Sequence, residues 1–359
     1  MTSVQRWRER IQLFTDEECR GISPLYEAVG RGLTQDAEML DWLAQVCGPR
    51  ARATLPFAAV HYLLLSGVPA DDLRRYYPTL VDESASPDSG TYAAFRSFCV
   101  RERGLLDPLL ASRVTQTNEV ARCGYLLPAF ALVVELSGKP LSIVEVGCSA
   151  GLNLLFDLYG YDFGGGRVVG DMSSRVRLQP TLRGNRMPKI AMPIVSARVG
   201  IDLEPVDLES EDAVRWLQAC IWPEHVDRMR NLRAAIEIAR MRRPSVVKGN
   251  AVELLGGIAM GADPDAALVV VNTNVMLYFS PEERARYARL LIELSVTREI
   301  FWIANEHPAL LSPAGFGART EISTDGSLPL VMSRLFQGRR DDRVLAMVGA
   351  HARWIEWRS

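Results

Sequence analysis

The sequence predicts an α/β protein in two parts: an all-helical N-terminal domain, then a Rossmann-like sheet, mainly parallel and finished by an antiparallel C-terminal hairpin. Three observations predict it. Residues 1–138 carry apolar side chains at helical spacing with hardly any strand-like alternation. From Leu141 onward, short apolar runs alternate with amphipathic stretches, the pattern of a parallel sheet covered on both faces. Residues 328–357 then hold apolar runs parted by the polar turn Gly338–Asp342. A chain of 359 residues suits two domains of roughly 100–200 residues. The expected division is a helical domain over 1–138 and a sheet domain over 139–359, with an insertion at about 160–193 that is longer than an ordinary crossover.

The elements follow in order. Ser23 before Pro24 has the form of an N-cap followed by Pro at the first helical position. Thr34 opens a segment whose Met39, Leu40, Leu43 and Val46 share one helical face. Further helices are expected over Phe57–Leu65, Tyr92–Glu102 and Val114–Leu136, the last closed by Gly138 and Pro140. Strands are expected at Ser142–Val146, Ile194–Ile201, Ser245–Lys248, Ala267–Val271 and Ile300–Ala304, with helices over Asp212–Cys220, Glu224–Arg240, Ala251–Met260 and Pro281–Ser295 between them. Leu328–Phe336, Arg343–Gly349 and Ala352–Trp357 read as antiparallel strands.

Composition removes several classes of function. The hydrophobic share of 48% and charged share of 23% are those of a globular chain. Lys+Arg 41 against Asp+Glu 43 gives a formal charge of -2, so no global field gathers nucleic acid. The six cysteines are widely spaced and lack the histidine neighbours of a zinc set, so no disulfide framework and no metal is expected. Without a secretory leader pattern or a long uninterrupted apolar stretch, the expectation is a cytoplasmic protein that acts on a small molecule, with no nucleic acid and no membrane as partner.

The segment Glu145-Val-Gly147-Cys-Ser149-Ala-Gly151 carries the chemistry. An apolar strand delivers an acid at its carboxyl end, and a small-residue loop then opens a helix, where unpaired N–H groups and close backbone approach favour a ligand. In an open α/β sheet this loop is where ligands bind. The dinucleotide pattern G-x-G-x-x-G fails, because Ser149 holds the middle glycine's place and Leu152 follows Gly151. Gly147-Cys-Ser149-Ala-Gly151 matches the nucleophile elbow of serine hydrolases, which needs a later acid and histidine; Asp263, His307 and His351 are the candidates. The third reading is the S-adenosylmethionine loop of a class I methyltransferase-type sheet. Asp202 would then accept both ribose hydroxyls and Asn250 would lie near adenine, with Glu145, Gly147, Ser149 and Gly151 completing the cofactor-binding set.

Candidate catalytic residues are Asn118 and Glu119 ahead of the sheet, Asn272 and Asn274 at the end of the fourth strand, and Glu306 after the fifth as a general base. Structural readings compete for some of them: Thr117 as a cap, Glu119 as a dipole partner, His307 as a turn residue.

Over nearly its full length the chain resembles domain-of-unknown-function family 2332 of bacteria. The resemblance is carried by Gln116–Arg122, Glu145–Leu154, Tyr161–Gly166, Gly200–Asp207, Trp222-Pro223 and Trp302–Glu306. It implies a methyltransferase-like core with a helical N-terminal region and implies no substrate. The expectation is therefore an S-adenosylmethionine-dependent enzyme that methylates a small molecule by in-line displacement. The alternatives are a serine hydrolase and an S-adenosylmethionine-binding protein that does not methylate.

Overall fold

The structure is a computed structural model describing residues 2–49, 51–116, 118–311 and 326–359. The chain forms two compact units, Met1–Thr117 with Glu209–Arg233, and Asn118–Leu208 with Ala234–Ser359. This division differs from one cut at residue 138. The helix before the first strand groups with the sheet, and a helix from the second crossover groups with the N-terminal helices.

The first unit holds α1 (Ser3–Leu13), α2 (Pro24–Gln35), α3 (Ala37–Val46), α4 (Leu55–Leu65), α5 (Asp71–Arg74), α6 (Thr91–Arg101) and α7 (Arg103–Ser112). Ser23 caps α2 through the Tyr26 N–H, as its place before Pro24 suggests. The cap of α3 is Asp36, which accepts from Met39 N at 3.0 Å, whereas Thr34 lies inside α2 with its hydroxyl on Arg31 O. An ionised carboxylate at a helix start outcompetes a hydroxyl two residues upstream. Phe14, Tyr26, Phe57 and Trp222 form an aromatic centre with ring centroids 4.8–5.5 Å apart. His61 is buried beside it: Nδ1 lies 3.2 Å and 3.1 Å from Ala219 O and Ile221 O, and Nε2 2.9 Å from Thr79 Oγ1. Burial pulls this imidazole down to about 4, so it stays neutral.

In the second unit α8 (Cys123–Ser137) precedes β1 (Leu141–Val146). The expected helix over Val114–Leu136 begins only at Cys123, after a 3-10 turn at Val120–Arg122 that Glu119 caps by accepting from Ala121 N. Thr117 lies outside the described residues. Val120–Ser137 is 18 residues of mean hydropathy 1.5, enough by length and composition to cross a membrane, yet 61% of it is buried in the fold. There Phe130 meets Phe156 at 4.8 Å. The helix is apolar on several sides because it is a core helix.

After β1 come β2 (Gly160–Asp162), β3 (Val168–Gly170), β4 (Arg177–Leu178), β5 (Leu182–Arg183) and β6 (Val195–Asp202). Next are α9 (Glu211–Ala219), α10 (Val226–Arg242), β7 (Val246–Lys248), α11 (Ala251–Met260), β8 (Ala267–Thr273), α12 (Pro281–Leu294), β9 (Ile300–Asn305) and α13 (Pro308–Leu311). The chain closes with β10 (Leu328–Phe336), β11 (Arg339–Val348) and β12 (Ile355–Trp357).

Among the described residues the main sheet runs β5, β12, β11, β10, β9, β8, β1, β6, β7, and β3, β2, β4 form a small second sheet within the insertion. Strands β7, β6, β1, β8 and β9 are parallel, and β10 to β12 add antiparallel. Every residue of β1, β8 and β9 is buried, as expected of central strands covered on both faces. On one face Val144, Leu268, Val270 and Trp302 pack with Leu255 of α11 and with Tyr287 and Leu291 of α12.

Candidate functional site

The parallel strands end at one level. Val146 pairs with Ile201 and Asn272, and Thr273 with Asn305, so Asp202, Gly147, Asn274 and Glu306 emerge side by side. With neighbouring strands ~4.8 Å apart, the row from Asp202 to Glu306 spans roughly 14 Å.

The loop after β1 is tied to β6 from both sides. Gly147 N donates to Ile201 O at 2.8 Å, and Val206 N donates to Ser149 O at 3.3 Å. Ser149 N donates to Asp202 Oδ2 at 2.7 Å, while Glu204 N donates to Oδ1 at 2.9 Å. Glycine is required at 147 by a φ of +72° and by Val275, whose Cγ2 would stand 2.3 Å from an added Cβ. Gly200 of β6 is equally constrained, with Cys148 Sγ 2.3 Å from the place of its absent Cβ. Gly151 precedes a 3-10 helix, Leu152–Leu158, at a φ of +71°. Ser149 itself has a φ of +55°, a conformation that costs a non-glycine residue about 1 kcal/mol or more and is concentrated at functional sites.

Buried polar groups surround this loop. Glu145 is 3% exposed; its Oε1 accepts from Asn153 Nδ2 at 3.3 Å, and its Oε2 has no hydrogen-bond partner among the described residues. Burial pushes its carboxyl up to about 8, against the opposing pull of the Asn153 bond and the Arg122 charge. Ser149 Oγ is likewise buried without a partner. No described imidazole or carboxylate therefore meets the hydroxyl, as a serine nucleophile would require. His307 is exposed and its Nδ1 accepts from Ala309 N, a turn contact. Cys148 is buried, which holds its thiol well above the usual range and leaves it a small core residue.

Asn118 is buried, and its Oδ1 accepts from Leu152 N at 3.3 Å, fixing the start of the helix after the loop. Glu119 is buried as the cap of the following turn.

At the end of β8, Asn272 is fully enclosed. Its Oδ1 accepts from Trp302 Nε1 at 2.6 Å and Tyr287 Oη at 3.4 Å, and its Nδ2 donates to Glu306 Oε1 at 2.9 Å. Val275 N donates to the same Glu306 oxygen at 2.8 Å, and Glu306 Oε2 is unpartnered among the described residues. Burial raises the Glu306 carboxyl to about 7. Asn274 has a φ of +55° and donates its backbone N–H to Asn305 O at 3.0 Å. Its half-buried side-chain amide makes no hydrogen bond among the described residues.

Asn250 stands apart in its bonding. Its Oδ1 caps α11 by accepting from Val252 N at 2.8 Å, and its Nδ2 donates to Glu283 Oε1 at 3.1 Å. The strand-end position is as read from the sequence, while both ends of the amide are engaged in the fold. One site group was not singled out from sequence. Arg122 donates from Nη1 to Thr273 O at 3.0 Å and to Thr273 Oγ1 at 2.9 Å, reaching the end of β8 from the turn before α8. Its signal was the run Gln116–Arg122, whose reach across the sheet depends on tertiary placement.

A family model described as "Uncharacterized protein conserved in bacteria (DUF2332)" matches residues 8–357. No curated protein matches. Among solved structures, the sugar N-methyltransferase KedS8 from a Streptoalloteichus species is 13% identical, with a TM-score of 0.25; the match covers 67% of this chain and 64% of that one, under two thirds of its length. DesVI of Streptomyces venezuelae is 12% identical, with a TM-score of 0.24, covering 66% of this chain and 80% of that one. Likeness this distant leaves function to the strand order and the site.

Proposed function

The chain belongs to this bacterial family of uncharacterized proteins, and on that premise we propose that it binds S-adenosylmethionine at the Gly147–Gly151 loop and directs methyl transfer to a small molecule. The observation that carries the reading is the buried Glu145 carboxylate with an oxygen left unpartnered, beside a loop pinned to Asp202. An unmet buried polar oxygen costs about 1–3 kcal/mol, more if charged, and a ligand donor removes that cost.

The residues present suit such a ligand. Each Asp202 oxygen accepts one backbone N–H and keeps a further lone pair, enough for two sugar hydroxyls. Glu145 and Ser149 Oγ offer hydrogen bonds to the amino-acid portion. Asn250 shapes the adenine side by starting α11. When bound, the cofactor supplies an electrophilic methyl group on a positively charged sulfur.

The chain's own work is positioning. Asn118 fixes the helix after the loop, and Glu119 fixes the turn that presents Arg122. Asn272 and Val275 N hold Glu306 Oε1, which leaves Oε2 to take the acceptor's proton. Asn274 offers its unengaged amide to orient the acceptor for in-line attack, where alignment of the reacting atoms supplies much of the rate.

Calorimetric titration with S-adenosylmethionine and S-adenosylhomocysteine tests the reading. Saturable binding of both is expected, weakened roughly 10-fold or more by Asp202→Asn, which replaces one acceptor of a paired hydroxyl contact with a donor. No binding of either compound to the folded protein would end this proposal.

A further inference from the structure

Resting on that reading, we infer that Arg122 and Glu145 form a clamp for an α-amino-acid zwitterion, Arg122 taking the carboxylate and Glu145 the ammonium.

The guanidinium of Arg122 is half-buried and only one of its nitrogens is in use. Nη1 is spent on Thr273, while Nε and Nη2 make no hydrogen bond or ion pair with the described residues. A guanidinium held by one corner presents its other edge in the fork geometry that matches a carboxylate. The contact with Thr273 fixes that edge at the carboxyl end of β8, one strand from the loop after β1.

The second half of the clamp lies on β1 itself. Glu145 offers a buried oxygen without a partner, and it feels the Arg122 charge while making no salt bridge to it. Two opposite charges in one site that stay unpaired with each other suit a ligand carrying both signs. The neighbouring Ser149 Oγ, also buried and unpartnered, can donate to the carboxylate. A ligand of one sign would leave a buried group of the other sign uncompensated, which is strongly unfavourable. The clamp therefore selects an amino-acid head and rejects a nucleoside without one.

The test compares S-adenosylhomocysteine with 5′-methylthioadenosine, which keeps the nucleoside and thioether but lacks the amino-acid head. Calorimetric dissociation constants are measured for the full-length protein and for Arg122→Gln and Glu145→Gln. S-adenosylhomocysteine is expected to bind at least 10-fold tighter than 5′-methylthioadenosine. Each variant is expected to close most of that gap by weakening S-adenosylhomocysteine alone, with 5′-methylthioadenosine binding and melting temperature serving as fold controls. Equal affinity of the two compounds for the unmodified protein, or a gap that survives both substitutions, overturns the clamp and leaves the adenosyl site standing. Binding of neither compound overturns both. Arg122→Lys keeps the charge without the fork, and an intact gap in that variant would overturn the bidentate carboxylate contact.

Discussion

Glu145 shows how a binding residue strains the protein that carries it. Its carboxyl lies near 8 in the fold because burial disfavours the anion, against an ordinary value of 4.5. A carboxyl raised in this way contributes stability that is full below its ordinary range and lost as pH climbs through about 8. Glu145→Gln removes that dependence while keeping the side chain's size and an oxygen for Asn153. The variant is expected to match the parent near pH 4.5 and to exceed it increasingly up to pH 8, by on the order of 4 kcal/mol, since a tenfold change in proton affinity corresponds to ~1.4 kcal/mol. Melting curves across that range check it, and parallel curves for the two proteins would contradict the assigned burial. A ligand ammonium on Oε2 favours the anion, so binding at about pH 7 is expected to release protons. Titrations in buffers of different ionisation enthalpy would detect that release, and Glu145→Gln should abolish it.

Among the elements, Asn250 and α11 separate a cap from a ligand contact. The sequence placed an amide at the end of β7, a position that suits adenine in this type of sheet. What it could not reveal is that Oδ1 turns back to Val252 N and Nδ2 meets Glu283 on α12, because the second partner lies 33 residues away in the chain. Asn250→Ala is expected to cost about 1 kcal/mol of stability, the usual worth of an N-cap. S-adenosylhomocysteine affinity is expected to change by less than about threefold, under 1 kcal/mol. A loss of affinity well beyond that would return Asn250 to the adenine. The sheet itself was legible, because buried parallel strands write themselves as β-branched runs such as Val269-Val-Val271. The start of α8 was less so. Val114–Arg122 has helical spacing, yet its backbone follows side-chain caps at Asn118 and Glu119 that only the folded site requires.

For the whole molecule, the decisive fact is that each compact unit is built from two stretches of chain. Cutting at residue 138, where the sequence changes its grammar, looks like a clean separation of helices from sheet. The physical units disagree, since Glu209–Arg233 belongs with the N-terminal helices. Trp216 and Trp222 of that segment are 6% and 7% exposed and sit in the helical core. Trp216 Nε1 donates to Val114 O at 2.9 Å, and Glu224 accepts from Ser23 Oγ at 2.6 Å and Leu25 N at 2.8 Å. Local pattern could not show this, because α9 reads as an ordinary amphipathic crossover and nothing in its spacing says which core its apolar face joins. A fragment of residues 118–359 keeps every strand but strips those tryptophans of their partners. Each large aromatic side chain so exposed forfeits roughly 2–3 kcal/mol of burial and adds to an apolar patch prone to association. The fragment is therefore expected to elute as aggregates on size exclusion. The same fragment with Glu209–Arg233 replaced by a short Gly/Ser linker is expected to remain monomeric, provided the linker spans the gap between Leu208 and Ala234. A monodisperse 118–359 fragment with the native segment in place would show instead that these tryptophans do not need the N-terminal helices.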